Sequence, residues 1–387
     1  MNYSHAYRLR LPGPTAVPER VRQAIARPVL SHRGPEFTAI LRRSEEMLQP
    51  LLGTRNRVFF FSSSGTGMME AALVNVLGPG ERVLISTHGQ FGERFAAIAA
   101  ALGVRVDTLD IPWGLAPTAP QVEERLKGAD YRAVVLVHNE SSTGVVARLA
   151  AIGAVLRGRD TLLVVDSVSG LGGVEMRQDE WGVDIVASAS QKALMCPPGV
   201  GVISMSGKAW GTVNRDDRLP RFYWDLRKAR AASEKLETPF TTPVSLIAGL
   251  HEALEMIHQE GLPHVLARHQ RLSRALRAGC AALGLTSYPK AEEVSSTVVC
   301  LDVPEKLNGK DIVRRLKERH QTVIAGSRNK LEGRVIRIGT MGSVSAGDIL
   351  TDLAHLEATL SELGWPVAPG TGLAAAAAIL QEEPYAR

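Results

Sequence analysis

The sequence predicts an α/β protein: a mainly parallel sheet with flanking helices, followed by a smaller α+β C-terminal domain. Three observations predict it. Short β-rich runs alternate with longer helical patterns through the first two-thirds of the chain, the order expected of a covered parallel sheet. After about residue 245 that alternation gives way to a long helical stretch and then to mixed strands and helices. Finally, 387 residues with 45% hydrophobic content supply a core large enough for two domains.

The strand candidates of the first part are Val58-Phe61, Arg82-Ser86, Val104-Leu109, Ala133-Val137, Thr161-Val165, Ile185-Ala187 and Val200-Ser204. They are short runs dominated by β-branched, aromatic and other apolar residues. Helical patterns lie between them at Thr66-Leu77, Gly92-Leu102, Ala119-Lys127 and Leu149-Arg157. The long helical stretch runs from Leu246 to Leu283. Beyond it lie strand candidates Ser296-Leu301, Thr322-Ala325 and Val335-Gly339, with helices at Gly309-Arg319 and Ala346-Glu362. Pro366 to Gly372 reads as a linker, and Ala374-Ala378 as a run that favours helix but is marginal unless docked. This divides the chain into an N-terminal arm (1–15), a large domain (16–255), a small C-terminal domain (256–366) and an alanine-rich tail (367–387).

Composition narrows the function. The net charge of +5 is modest, and the sequence holds no long basic run or basic stripe interleaved with aromatics, so nucleic acid is not an expected partner. No stretch reaches the roughly 18 apolar residues of a membrane span. The first residues lack a signal-peptide pattern. Cys196, Cys280 and Cys300 have neither metal-ligand nor disulfide spacing, so the reading is cytoplasmic, with no metal. The histidines His251, His258, His264 and His269 are expected at solvated helix positions.

The chemistry concentrates at strand ends, where ligands of such sheets bind. Asp166 closes the apolar run Leu162-Leu163-Val164-Val165, and Lys192 follows in Ser188-Ala189-Ser190-Gln191-Lys192. Pyridoxal phosphate chemistry requires such a pair: the amine condenses with the aldehyde, and the carboxylate pairs with the protonated ring nitrogen. Taken singly, Asp166 reads as a loop cap and Lys192 as a surface amine. Ser63-Ser64-Gly65-Thr66-Gly67 sits at a strand-to-helix turn, and reads either as a phosphate site or as an ordinary N-cap. Beside Asp166, Val168 offers an apolar contact to a ring or simply packs. Phe91 is a stacking candidate or a core residue. Arg337, inside an apolar strand, either holds a substrate carboxylate or faces outward.

Together, Ser62-Gly67 with Glu70-Ala71-Ala72, Asn139-Glu140-Ser141-Ser142-Thr143-Gly144, Val165-Asp166-Ser167-Val168, Ser190-Gln191-Lys192-Ala193-Leu194, Pro197-Pro198-Gly199, Thr241-Thr242-Pro243-Val244 and Arg337-Ile338-Gly339 resemble the class V aminotransferases. These are fold-type I pyridoxal 5'-phosphate enzymes, and the likeness is strongest to the alanine–glyoxylate and serine–pyruvate group. It runs from Leu11-Pro12-Gly13-Pro14-Thr15 to about Trp365. The resemblance implies that Lys192 is the Schiff-base lysine and Asp166 the pyridinium partner. Ser64, Gly65, Thr66 and Gln191 would hold the phosphate, Phe91 and Val168 would flank the ring, and Ser141 would lie near its hydroxyl. Gly13, Pro14 and Arg337 would bind substrate. Thr241 would reach the phosphate of a neighbouring subunit, making a homodimer part of the site.

The implied reaction moves the amino group of a small amino acid, serine or alanine, to a 2-oxo acid such as glyoxylate or pyruvate by a ping-pong mechanism. Lyase or desulfurase chemistry on the same fold, and a non-catalytic interaction protein, are the competing readings. Two departures stand out. Thr238 replaces the tyrosine that relatives often carry, and Ser31-His32-Arg33-Gly34-Pro35-Glu36-Phe37 differs from the animal enzymes near the expected substrate entrance, where His32 or Arg33 would bias donor choice.

Overall fold

The computed structural model describes residues 7–215, 219 and 221–381. The start read for a signal sequence (1–6) and the end of the alanine-rich tail (382–387) lie outside the described residues. The central sheet contains β1 Val58–Ser63, β2 Arg82–Ser86, β3 Arg105–Leu109, β4 Ala133–Val137, β5 Leu162–Asp166, β6 Ile185–Ala189 and β7 Gly199–Met205. Their spatial order is β1-β7-β6-β5-β4-β2-β3. β7 runs antiparallel to β1 and β6, while the other pairs are parallel. Six carboxyl ends therefore open on one edge of the sheet, together with the amino end of β7.

Both faces of the sheet are covered, which explains the continuous apolar runs. Leu163, Val165, Val186 and Val202 pack into one buried cluster, and Leu162, Val164, Ile185 and Ile203 into another. The period-2 alternation thus fills two layers. The four expected helices are Gly65–Val74, Gln90–Ala101, Ala119–Gly128 and Leu149–Leu156. The first stops at Val74 rather than Leu77, because the Asn75 amide turns to donate to Ala71 O (2.8 Å) and Trp224 O (2.7 Å).

Further along, β8 Val298–Asp302, β9 Ala325–Gly326 and β10 Val335–Gly339 form an antiparallel sheet in the order β8-β10-β9. Helices Gly309–His320 and Ala346–Glu362 accompany it. Two sequence expectations change here. The long stretch from Leu246 is two helices, Val244–Glu260 and Leu262–Ala282, divided where Gly261 takes φ 85° just ahead of Pro263. The strand expected at Thr322-Ala325 splits. Thr322–Val323 pairs with Arg8–Leu9 of the arm, and Ala325–Gly326 joins β10.

His269 corrects a third expectation. It is fully buried rather than solvated: its Nδ1 faces Val265 O (2.7 Å), and its Nε2 accepts from Gly342 N (3.1 Å). Burial lowers its pKa to about 4, so the ring is neutral and fastens one loop. His251 is half-buried against Ser44 Oγ (3.2 Å), whereas His258 and His264 are exposed as expected.

The arm is anchored by charge. Arg10 Nε meets Asp352 Oδ2 at 2.5 Å, with both side chains buried, and Arg8 reaches Asp348 Oδ1 at 3.0 Å. Removing one partner of such a buried pair costs about 3–5 kcal/mol, which makes the arm's course hard to change.

The tail is an ordered helix, Thr371–Gln381, docked on Leu262–Ala282. Small residues let the two come close: a Cβ on Gly279 would lie 2.9 Å from Gly372 O. Glu357 caps the start, accepting from Gly370 N and Gly372 N at 2.9 Å each. Glu357→Ala removes both acceptors and should destabilise the tail helix by about 1 kcal/mol. Amide hydrogen exchange would then quicken across 373–381 and stay unchanged in β5. Equal protection in both proteins would contradict the cap.

Candidate active site

Asp166 ends β5 between Val137 and Ala187 of the neighbouring strands, so its carboxylate emerges at the open sheet edge. It is buried, and its Oδ1 accepts from Val168 N (2.7 Å). Among the described residues no donor reaches its other oxygen. Burial, aided by the nearby Glu140, raises its pKa to about 7, while Val168 N–H, Lys192 and Arg94 oppose the rise.

Lys192 leaves the loop after β6. That loop is held tightly: Met195 N donates to Lys192 O (3.0 Å), Cys196 N to Ser190 O (3.1 Å), and Ser190 Oγ to Pro197 O (2.6 Å). Met195 itself takes φ 55°, an uncommon conformation for a non-glycine residue. The Lys192 amine donates to Pro12 O, which the arm delivers. Gly13 is required beside it, since its φ is 107° and a Cβ there would overlap the lysine Cδ, Cε and Nζ. Burial lowers the amine pKa to about 8, with Arg337 and Arg94 adding to the effect against Asp166. No ion pair joins Lys192 to Asp166. The two opposite charges influence one another without touching.

The turn after β1 starts the helix Gly65–Val74. Ser64 is its N-cap, accepting from Gly67 N (3.2 Å), so the cap reading holds and leaves the anion-binding helix start in place. Gly65 admits Val168: a Cβ there would come within 2.9 Å of Val168 Cγ2. Thr66 Oγ1 accepts from Arg94 Nη1 (2.9 Å). The Gln191 Oε1 is buried without a hydrogen-bond partner among the described residues.

Phe91 is the second residue of the helix Gln90–Ala101, whose start is fixed by Glu140. That buried carboxylate accepts from Phe91 N (3.0 Å) and Gly92 N (3.3 Å), and from Ser142 N (3.1 Å) and Oγ (2.6 Å). Burial pushes the Glu140 pKa up, against four hydrogen bonds that favour its charge. Ser141 is buried next to it, and its carbonyl accepts from Arg337 Nη1 (3.1 Å). Arg337 also donates to Gly326 O from Nε (3.3 Å) and Nη2 (2.9 Å). It points inward, has no carboxylate partner among the described residues, and burial lowers its pKa.

Lys192, Asp166, Gly13, Ser64, Gly65, Thr66, Val168, Gln191, Phe91, Ser141 and Arg337 thus gather around the open sheet edge. Pro14 is exposed nearby. Thr241 is not brought in; it is exposed on the segment beside Phe61 and Ser62. Thr238 is buried and spends its hydroxyl on Phe240 O (2.9 Å). Sequence reading passed over Pro12, Glu140 and Arg94 as individuals. Arg94 lies three residues after Phe91, a spacing that shares a helix face and was legible.

These residues fit pyridoxal phosphate. The unused Asp166 oxygen suits a protonated ring nitrogen, the helix start at Gly65 suits a phosphate, and Lys192 suits an aldehyde. Comparison with known proteins agrees. Residues 15–341 match the family model for aminotransferase class V. The chain belongs to the class V aminotransferase family.

A Synechococcus protein named soluble hydrogenase, small subunit, is 39% identical over 96% of this aminotransferase and 98% of its own length. L-aspartate–glyoxylate aminotransferase of Paracoccus denitrificans is 37% identical, over 95% of this chain and 94% of that one. Among solved structures, ureidoglycine–glyoxylate aminotransferase from Bacillus subtilis superposes with a TM-score of 0.93 at 30% identity, covering 98% and 99% of the two chains. The cofactor of this class V aminotransferase is pyridoxal 5'-phosphate, and no helix among its described residues is long and apolar enough to cross a membrane.

The lowered Lys192 pKa has a direct consequence. In the cofactor-free protein, labelling of this amine by trinitrobenzenesulfonate should rise through pH 8 and level off above it. An ordinary lysine keeps gaining reactivity toward its usual 10.5. Peptide mass mapping at each pH checks this, and a midpoint near 10 would contradict the geometry.

Proposed function

We propose that this aminotransferase moves the amino group of a small amino acid, serine or alanine, to glyoxylate or pyruvate, in the cytoplasm and as a homodimer. The observation that carries the substrate reading is Arg337. It is an inward cation whose hydrogen bonds all go to carbonyl oxygens, and it acts electrostatically on Lys192. A substrate carboxylate would supply its missing counter-charge and seat the α-carbon beside the lysine amine.

Pyridoxal phosphate, when bound, supplies the aldehyde and the electron-accepting ring. The chain's residues do the rest. Asp166 would hold the proton on the ring nitrogen, its own raised pKa falling once that cation faces it. Lys192, with an amine pKa lowered toward neutrality, would take the proton from the substrate α-carbon and return it at the adjacent cofactor carbon. Phe91 and Val168 would fix the ring between them. Three relatives, named for aspartate, serine and alanine as donors, all carry glyoxylate in their names, which supports glyoxylate as acceptor and leaves serine and alanine as the first donors to test.

Desulfurase chemistry needs an accessible thiolate. Cys196, Cys280 and Cys300 are all buried, and burial pushes the Cys196 and Cys300 thiols up to about 12. A homodimer is supported by the exposed Thr241 and by Phe222, which is 71% exposed and stacked on Phe240 next to it. A second copy would cover those rings and carry Thr241 to its cradle. Arg33 lies 3.8 Å from Glu237 on the same side, so the donor-selecting part proposed for His32 and Arg33 would act at the subunit boundary.

Double-reciprocal plots at several acceptor concentrations should be parallel; intersecting lines would contradict a ping-pong reaction. Arg337→Ala should raise the donor KM on the order of a hundredfold while the bound-cofactor absorbance persists. An unchanged KM would remove Arg337 from the substrate site. Arg33→Ala should alter the ratio of serine to alanine turnover, and an unaltered ratio discards its part in selection.

A further inference from the structure

We propose that Arg94 is a positioning residue of the cofactor site, tying the ring-stacking Phe91 to the phosphate-cradle hydroxyl of Thr66. The inference rests on the placement of the cofactor ring against Phe91 set out above. Three observations carry it. The Arg94 guanidinium carbon lies 4.7 Å from the centre of the Phe91 ring, a cation–π contact worth about 0.5–2 kcal/mol depending on its hydration. The same group donates through Nη1 to Thr66 Oγ1 at 2.9 Å. No carboxylate pairs with it among the described residues, which is unusual in a chain with many arginine–carboxylate pairs.

The hydrogen bond sets a polarity. A threonine hydroxyl has one O–H donor and two acceptor lone pairs. With Arg94 occupying a lone pair, the hydroxyl hydrogen is left to donate outward from the start of the helix Gly65–Val74. An anionic phosphate accepts only from donors, so Arg94 turns Thr66 into the form the cradle needs. Its own position is fixed in turn, because Glu140 binds the first amides of its helix and Gly92 packs against the Ser86 carbonyl, where a Cβ would overlap.

Arg94 also does something that a packing residue would not. Its positive charge acts on both Lys192 and Asp166, lowering the pKa of each. A variant that loses the charge should therefore shift the pH titration of the bound cofactor's visible absorbance upward.

The test compares Arg94→Met, Arg94→Lys and Phe91→Ala with the parent protein. Pyridoxal phosphate affinity is read by quenching of tryptophan fluorescence, and the absorbance of each holoenzyme is titrated with pH. Arg94→Met should bind the cofactor about tenfold more weakly, and its absorbance midpoint should move up. Arg94→Lys, which keeps the cation, should hold the parent midpoint. Unchanged affinity in Arg94→Met overturns the inference. So does weakened affinity with an unmoved midpoint, or a lysine variant that shifts as the methionine one does. If Phe91→Ala weakens binding while Arg94→Met is silent, this inference alone falls. If both are silent, the placement of the ring against Phe91 falls with it.

Discussion

Two opposite charges buried at one sheet edge without touching are the constraint on which the site depends. Asp166 and Lys192 lack the direct pairing that would cancel their desolvation, so each is pushed toward its neutral form, to about 7 and about 8. Such an arrangement is costly to fold and makes sense only around a group that separates and satisfies both. A flat ring with a protonated nitrogen at one end and an aldehyde at the other has that shape. The carbonyl of Pro12 and the amide of Val168 hold the two side chains apart in readiness.

The surrounding structure keeps that gap open. β4, β5 and β6 set Asp166 at its depth through the register Val137–Asp166–Ala187. The N-terminal arm, locked by Arg10 and Asp352, brings Gly13 against the lysine at a distance only glycine permits. Glu140 serves the opposite wall. Its four hydrogen bonds stiffen the helix start that carries Phe91, and its charge raises the pKa of Asp166. Arg337 completes the field from β10, the strand farthest along the chain, so distant parts of the sequence share one electrostatic balance.

Much of this was legible in the sequence. The strands of the central sheet follow from short runs rich in β-branched or aromatic residues, and Lys192, Asp166 and the Ser63–Gly67 turn stand near the ends of such runs. Boundaries moved where side chains intervened, as at Asn75, or where Gly261 broke what periodicity read as one helical stretch. His269 was misjudged because its partners, Val265 O and the Gly342 amide, are backbone groups that composition cannot reveal. Glu140 was hidden for a similar reason: a buried glutamate between polar neighbours resembles any turn until the helix it caps is in view. The ordered tail rests on Glu357, thirteen residues before the first amide it caps, a link no local pattern announces.

The most direct measurement of the central claim is keto-acid release from the holoenzyme mixed with excess alanine and no acceptor. If Lys192 and Asp166 form an amino-transfer centre, each chain should release a single equivalent of pyruvate and stop until glyoxylate is added. Continuous release without acceptor, or none from alanine, serine or aspartate, would contradict it.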